Sequence, residues 1–177
     1  MQRRIKNMEE TVIDHAAAKK AVQTKLNELG ISFEVEDHAP VFTIEDMDAL
    51  GITQRGLVAK NLFLRDAKGK RHFLVLIPGE KHADIKKIEK QIGCTHLSFA
   101  SDERLMKYLG LVKGSVTPFG LLNDENKAVE VAIDRGLMGK PKVGFHPNTN
   151  TATLWLSYED LMKFIKSRGN KIHFINL

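Results

Sequence analysis

Very little in this chain invites redox or metal chemistry. It has a single cysteine, Cys94, which excludes an internal disulfide and any multi-cysteine metal site. Cys94 lies in "QIGCTHLSF", behind a predicted helix, and reads as a small buried apolar residue. The histidines His15, His38, His72, His82, His96, His146 and His173 are scattered, with no HxxxH or HxxEH pair, so neither a metal nor a cofactor is expected. The glycines form no GxGxxG and no GxxxxGKS/T, so dinucleotides and nucleoside triphosphates lack their usual cradles. No GxSxG elbow marks a serine hydrolase. No apolar run approaches the length of a membrane span. The opening "MQRRIKNMEE" is basic and then acidic with no apolar stretch behind it. That predicts no secretory leader, no membrane partner and a reducing, cytoplasmic home.

What is present is an ordinary globular composition. The chain has 177 residues and is 42% hydrophobic, enough for one self-sufficient core. A net charge of +5 fits a polyanionic partner such as RNA without requiring one. Residues 1–13 read as a flexible arm and residues 14–177 as one domain, with no repeat, linker or low-complexity tract.

Periodicity and caps predict the elements. Ala18, Val22, Leu26 and Leu29 recur at helical spacing in 14–30, and Gly30 stops the run. "ISFEVED" (31–37) alternates as a strand with Ile31, Phe33 and Val35 on one face. Thr43 and Asp46 have capping-box spacing for a short helix. "GLVAKNLFLRD" and "KRHFLVLIP" flank "AKG" as a hairpin turning at Gly69. Helices follow at 82–93 and 101–110, a short strand at 95–100, and a loop over 111–124. Strands at 127–134, 143–147 and 150–157, a helix from Ser157 to Gly169 and a closing strand complete the chain. Hairpins mixed with helices, without regular βαβ alternation, predict a mixed α/β (α+β) fold around a curved, barrel-like, mostly antiparallel mixed sheet.

Three segments offer chemistry. In the first, Lys60-Asn61 interrupts a strand that is apolar on both faces: Val58, Leu62 and Leu64 share one with Lys60, and Leu57, Ala59 and Phe63 share the other with Asn61. An ammonium there is costly unless it is paired or reaches a wet cleft. The second is "KGSVTPFG" (113–120), where Gly114 permits close backbone approach, Pro118 stiffens the loop, and Ser115 and Thr117 add hydroxyls. The third is "GFHPNTNTAT" (144–153), where His146 sits as a strand leaves the sheet. Taken singly, each has an ordinary structural reading: a snorkelling lysine, an inter-element turn, a hydrogen-bonded histidine.

Together they resemble a known family. "AKNLFLRD", "GSVTPFG" and "FHPNTNTATLWLSYEDL", in this order, resemble the YbaK-like prolyl-tRNA editing family, closest to its free-standing Ala-tRNA(Pro) deacylases of the ProX type. "DHAPVFTIED" (37–46) is similar to the family's early His-x-Pro-x-x-Thr stretch, through His38 and Thr43. The resemblance runs from about Ala17 to Leu177. It implies hydrolysis of the ester between a wrong amino acid and the 3′ adenosine of tRNA(Pro), most often alanine. It implies that Lys60, Asn61 and His146 carry or border the chemistry. Gly114, Ser115, Val116, Thr117, Pro118 and Phe119 would then line the aminoacyl end as a narrow sieve, with His38 and Thr43 nearby. The implied partners are the tRNA(Pro) acceptor end and prolyl-tRNA synthetase, and not DNA.

Other readings compete. The same reaction on a cysteinyl or seryl ester keeps the fold. A non-catalytic module binding tRNA or a synthetase predicts RNA binding without cleavage. A Schiff base on Lys60 is a third, with no partner residues in its favour. Lys19-Lys20, Lys68 to Arg71, Lys86-Lys87 and Lys140 to Lys142 could steer RNA phosphates, and Trp155 and Phe119 could stack bases, although both also read as core or pocket wall.

Overall fold

A computed structural model describes residues 14–177; the predicted N-terminal arm lies outside the described residues. Five helices are α1 (His15–Glu28), α2 (Ile44–Ala49), α3 (Ile85–Ile92), α4 (Asp102–Leu109) and α5 (Tyr158–Arg168). Eight strands are β1 (Glu34–Asp37), β2 (Leu57–Arg65), β3 (His72–Pro78), β4 (Ser98–Phe99), β5 (Val129–Asp134), β6 (Val143–Phe145), β7 (Ala152–Leu156) and β8 (Ile172–Ile175).

Helix starts follow from side chains that take up orphan backbone N–H groups. Asp14 caps α1, Asp84 caps α3, Ser101 caps α4 and Ser157 caps α5. Thr43 and Asp46 form the predicted reciprocal capping box on α2. Gly93, Gly110 and Gly169 end α3, α4 and α5 in the left-handed conformation that a Cβ disfavours. Two predicted strands are shorter than their patterns. Ile31 is not yet in β1, because its N–H returns to Leu26 O at 2.9 Å and closes the end of α1. The 95–100 strand contracts to Ser98–Phe99, because the Leu97 N–H is taken by Glu89 Oε1 at 2.8 Å. The 111–124 loop contains a 3-10 turn over Pro118–Asn123, with Thr117 as its cap.

The strands form one mixed sheet in the order β1-β7-β6-β2-β3-β5-β8, with β4 also on β2. Pairings β1–β7, β6–β7, β2–β3 and β2–β4 are antiparallel; β2–β6, β3–β5 and β5–β8 are parallel. The fold is thus mixed α/β, with helices packed on an eight-stranded sheet. No described helix is long and apolar enough to cross a membrane.

β2 organises the molecule. Along one edge it pairs with β3 from Ala59 to Arg65. Along the other it meets β6 only at Leu57 and Val58, and β4 only at Leu64 and Arg65. Between those contacts, from Lys60 to Leu62, no described strand covers that edge. Backbone direction alternates along a strand. Leu57 N–H and Phe63 C=O are bonded on the open side and Val58 C=O on the β3 side, so the amide groups of Asn61 face the gap.

The two faces of β2 pack on different apolar clusters. Ala59 and Phe63 join the main core, which includes Leu74, Phe119, Phe145 and Phe164. On the other face, Leu64 joins a cluster with Phe73, Val75, Ile77 and Ile88. Val58 joins a third, with Val41, Met47, Ile52 and Trp155. Lys60 falls at the seam between these last two, which is why a cation is tolerated in so apolar a strand.

Candidate active site

The gap beside β2 opens into a cavity of about 890 Å³. Its floor is Val58 to Phe63, and its walls come from the start of α2, the Lys113–Gly114 turn and the end of β6.

Lys60 is half-buried on this floor. Its Nζ donates to Lys81 O at 2.9 Å, and among the described residues no carboxylate pairs with it. The carbonyl occupies one of three donors, leaving two for the cavity. The acceptor is itself anchored. Lys81 Nζ donates to the fully buried Asp134 at 2.7 Å and to Leu177 O at 3.1 Å. Asp134 also accepts from the N–H groups of Gly136, at 2.7 Å, and Leu177, at 2.9 Å. A buried carboxylate therefore fixes the loop whose carbonyl fixes Lys60.

Asn61 donates through Nδ2 to Val116 O at 3.1 Å. Because a carbonyl only accepts, this contact sets the orientation of the amide. Asn61 Oδ1 is then buried in the cavity floor with no partner. An unmade hydrogen bond at a buried acceptor costs about 1–3 kcal/mol.

His146, the residue after β6, also lines the cavity. Its Nδ1 meets Ala152 O at 3.1 Å and must be the protonated nitrogen there, which leaves Nε2 with a free lone pair. Burial pushes its pKa down, opposed by the Ala152 carbonyl and reinforced by His38, whose ring centroid is 6.5 Å away. The ring is therefore neutral at physiological pH.

The other candidates separate into two groups. Gly114, Val116 and Thr43 line the cavity. Gly114 has φ +89°, and a Cβ there would stand 3.0 Å from Phe42, so glycine is required twice over. Ser115, Thr117, Pro118 and Phe119 are buried behind the lining, where Phe119 packs edge-on to Phe145 and Phe164. They shape the wall from behind. His38 is also outside the lining and bonds Ala39 O at 2.8 Å and Thr153 Oγ1 at 2.9 Å. Phe119 and Trp155 are 0% and 3% exposed, which removes both as base-stacking surfaces.

Sequence reasoning missed several lining residues. Phe99 lies outside the quoted motifs, and Phe42 and Lys113 lie within them with no role assigned, yet each belongs to the lining. Gly144 lines it too: a Cβ there would meet the Trp155 ring at 2.6 Å, so only glycine lets the indole lie across β6. The signal available was weak, since isolated phenylalanines ordinarily predict core.

Among the described residues no cluster of three or more His, Cys, Asp or Glu is arranged to hold a metal. Burial raises the Cys94 thiol pKa, so it is a poor nucleophile. The basic clusters are partly neutralised: Lys19 pairs with Asp37, Arg71 with Glu130, Lys86 with Glu89 and Lys142 with Glu34.

Two histidines and one glutamate contribute to stability in acid. His72 is buried and has its pKa lowered first by that burial and then by Arg104, whose Nη1 is 2.9 Å from Nε2. His72 and His146 favour the neutral form in the folded state, so their contribution is complete above the unfolded value of 6.5 and is lost as pH falls below it. Glu130, hydrogen-bonded by Arg71 and by His173, has its pKa lowered to about 2. Its contribution is present above the ordinary value of 4.5 and is lost as pH falls from there toward 2. Thermal unfolding followed with pH is expected to weaken in two successive stages, the first below 6.5. A midpoint that stays flat from neutral pH down to 4.5 would contradict the histidine assignments, and one that stays flat from 4.5 toward 2 would contradict that of Glu130.

Comparison with known proteins fits this geometry. Residues 38–164 match the aminoacyl-tRNA editing domain family. The chain is 51% identical over 160 residues to prolyl-tRNA editing protein ProX of Acetoanaerobium sticklandii, covering 90% of this chain and 98% of that one. It is 34% identical over 165 residues to prolyl-tRNA synthetase associated domain-containing protein 1 of Bos taurus, covering 91% and 96%. A solved structure of a candidate trans-editing enzyme for prolyl-tRNA synthetase shares the fold, with a TM-score of 0.69 at 23% identity, over 90% of this chain and 97% of that one. With its cavity floored by Lys60 and Asn61 and a match over most of its length, this chain belongs to the aminoacyl-tRNA editing domain family.

Proposed function

We propose that this protein is a trans-editing deacylase that hydrolyses the ester of mischarged tRNA(Pro), with Ala-tRNA(Pro) as its main substrate. The observation that carries the reading is the floor of the cavity. A tethered ammonium and an unpartnered buried amide oxygen both belong to it, in a member of an editing family.

The chemistry needs no protein nucleophile, because an aminoacyl ester is already activated. Water adds to the carbonyl carbon, the carbonyl oxygen becomes an oxyanion, and collapse expels the ribose oxygen with a proton. The free donors of Lys60 suit the oxyanion or a phosphate of the terminal nucleotide. Asn61 Oδ1 suits the α-ammonium of the amino acid. The neutral Nε2 of His146 can accept a hydrogen bond from substrate or water. Alanine is smaller than proline, and a synthetic site built for the larger side chain rejects the smaller one by only roughly 1–3 kcal/mol. A second, narrower site reverses that preference. The stiff wall from Gly114 to Pro118, backed by Phe119, supports such a sieve.

The acceptor end of tRNA(Pro) is the expected partner, prolyl-tRNA synthetase a further one, and the cytoplasm the expected place of action. A panel of tRNA(Pro) charged with alanine, cysteine or serine tests the substrate. Alanine is expected to be released fastest. Faster release of cysteine or serine reassigns the amino acid, and saturable tRNA binding with no cleavage of any ester overturns the enzymatic reading.

A further inference from the structure

Two phenylalanines on the cavity rim are exposed in a way the deacylation chemistry does not use. Phe42 is 67% exposed and Phe99 is 66% exposed, the two highest values among the large apolar side chains of the described residues. Both belong to the lining of the same cavity. They come from different parts of the chain. Phe42 precedes α2, whose first residue, Ile44, approaches Gly79 at the Val58 end of β2. Phe99 is in β4, paired with Leu64 at the other end. Lys60 and Asn61 lie between them.

Neither ring is exposed through looseness of its backbone. The Phe42 N–H is held by Asp46 Oδ2 at 2.9 Å, and the ring packs against Gly114, where no side chain intervenes. Phe99 is fixed by the β2 ladder on one side and by the bond from the next residue, Ala100 N–H, to Phe63 O at 2.9 Å. Holding two large apolar rings in water at a cavity mouth is unfavourable unless something covers them.

We infer that Phe42 and Phe99 are stacking platforms for the unpaired bases of the RNA 3′ end, one base on each ring. This rests on the deacylase reading. If the ester lies over Lys60 and Asn61, the nucleotide that carries it must lie at the mouth, and its neighbour must pass along the rim. The rim offers aromatic faces, which suit any base, and the Lys113 ammonium for a phosphate. Glu45 and Asp102, also in the lining, disfavour a close phosphate on their own sides and so help to set the path of the strand. Nothing here reads Watson–Crick edges. The platforms contribute affinity and placement, and they account for aromatic contacts that the buried Phe119 and Trp155 cannot make.

The test uses uncharged acceptor-stem RNA with 2-aminopurine in place of the terminal or the penultimate base. Binding and base stacking are then read by fluorescence, without turnover. Wild type is expected to bind and to quench both probes. Phe42→Leu and Phe99→Leu should each relieve the quench of one probe and weaken binding by roughly 5- to 100-fold. Phe42→Tyr and Phe99→Tyr, which keep the ring, should restore quench and affinity. Deacylation should show the Leu variants raising KM with kcat largely retained. Unchanged quench and KM in both Leu variants would overturn the inference and leave the deacylase reading intact. Quenching with no ester cleaved by wild type would sink the deacylase reading and keep the platforms. Loss of binding to a synthetase, with RNA binding unchanged, would assign the rings to a protein partner and overturn the inference.

Discussion

Replacing Lys60 with alanine is expected to lower kcat for deacylation by roughly 10²–10³-fold, the usual loss when one preorganised donor to a developing oxyanion is removed. The fold should survive. Lys60 is only half-buried, pairs with no carboxylate among the described residues, and donates one side-chain hydrogen bond, to Lys81 O. Losing that bond costs on the order of 1 kcal/mol. Lys60→Met separates the two roles of the side chain. It keeps an apolar stem at the seam between the clusters and removes only the charge, so it should be as inactive as alanine and at least as stable. Single-turnover rates and thermal midpoints on the same preparations check this. Near-normal turnover in Lys60→Met would remove the charge from the mechanism.

Asp134→Ala is expected to be strongly destabilising. Asp134 is fully buried and accepts from Lys81 Nζ and from two backbone N–H groups. Removing one partner of a buried ion pair costs about 3–5 kcal/mol, reduced here to roughly 2–3 because the Lys81 side chain is 30% exposed and can reach water. At roughly 2–4 °C per kcal/mol for a domain of this size, the thermal midpoint should fall by about 5–10 °C. Activity should fall as well, because Lys81 O loses its anchor and Lys60 loses its fixed partner. Asp134→Asn, which can still accept from Gly136 N–H, should lie between. A stable Asp134→Ala variant with normal kcat would show that the loop is held by other contacts.

Much of this architecture was legible in the sequence because it is local. A cap is a side chain reaching two or three residues along its own chain. Hence Thr43 with Asp46, Ser101, Ser157, and the glycines at 93, 110 and 169 mark their helices without any tertiary information. The β2–β3 hairpin is equally local, with Arg65 facing His72 across the Gly69 turn. The parallel pairings of β2 with β6 and β5 with β8 join segments far apart in sequence, and periodicity carries no trace of them. The site divides in the same way. Lys60-Asn61 stood out because a polar pair breaks a strand pattern. Phe42 and Phe99 did not, because an aromatic residue on a rim and one in a core look alike until the sheet edge is known. "GSVTPFG" looks like a lining loop throughout, whereas only its first part, through Gly114 and Val116, reaches the cavity. The rest turns inward as Thr117 starts the 3-10 turn and carries Phe119 into the core.

This cavity is expected to clear a small wrong amino acid from tRNA(Pro) and to spare the correct one. The most direct measurement is the rate at which wild-type protein hydrolyses Ala-tRNA(Pro) and Pro-tRNA(Pro), assayed side by side. Rapid loss of alanine with proline retained is the expected result. Equal rates for the two esters, or no cleavage of either, would contradict it.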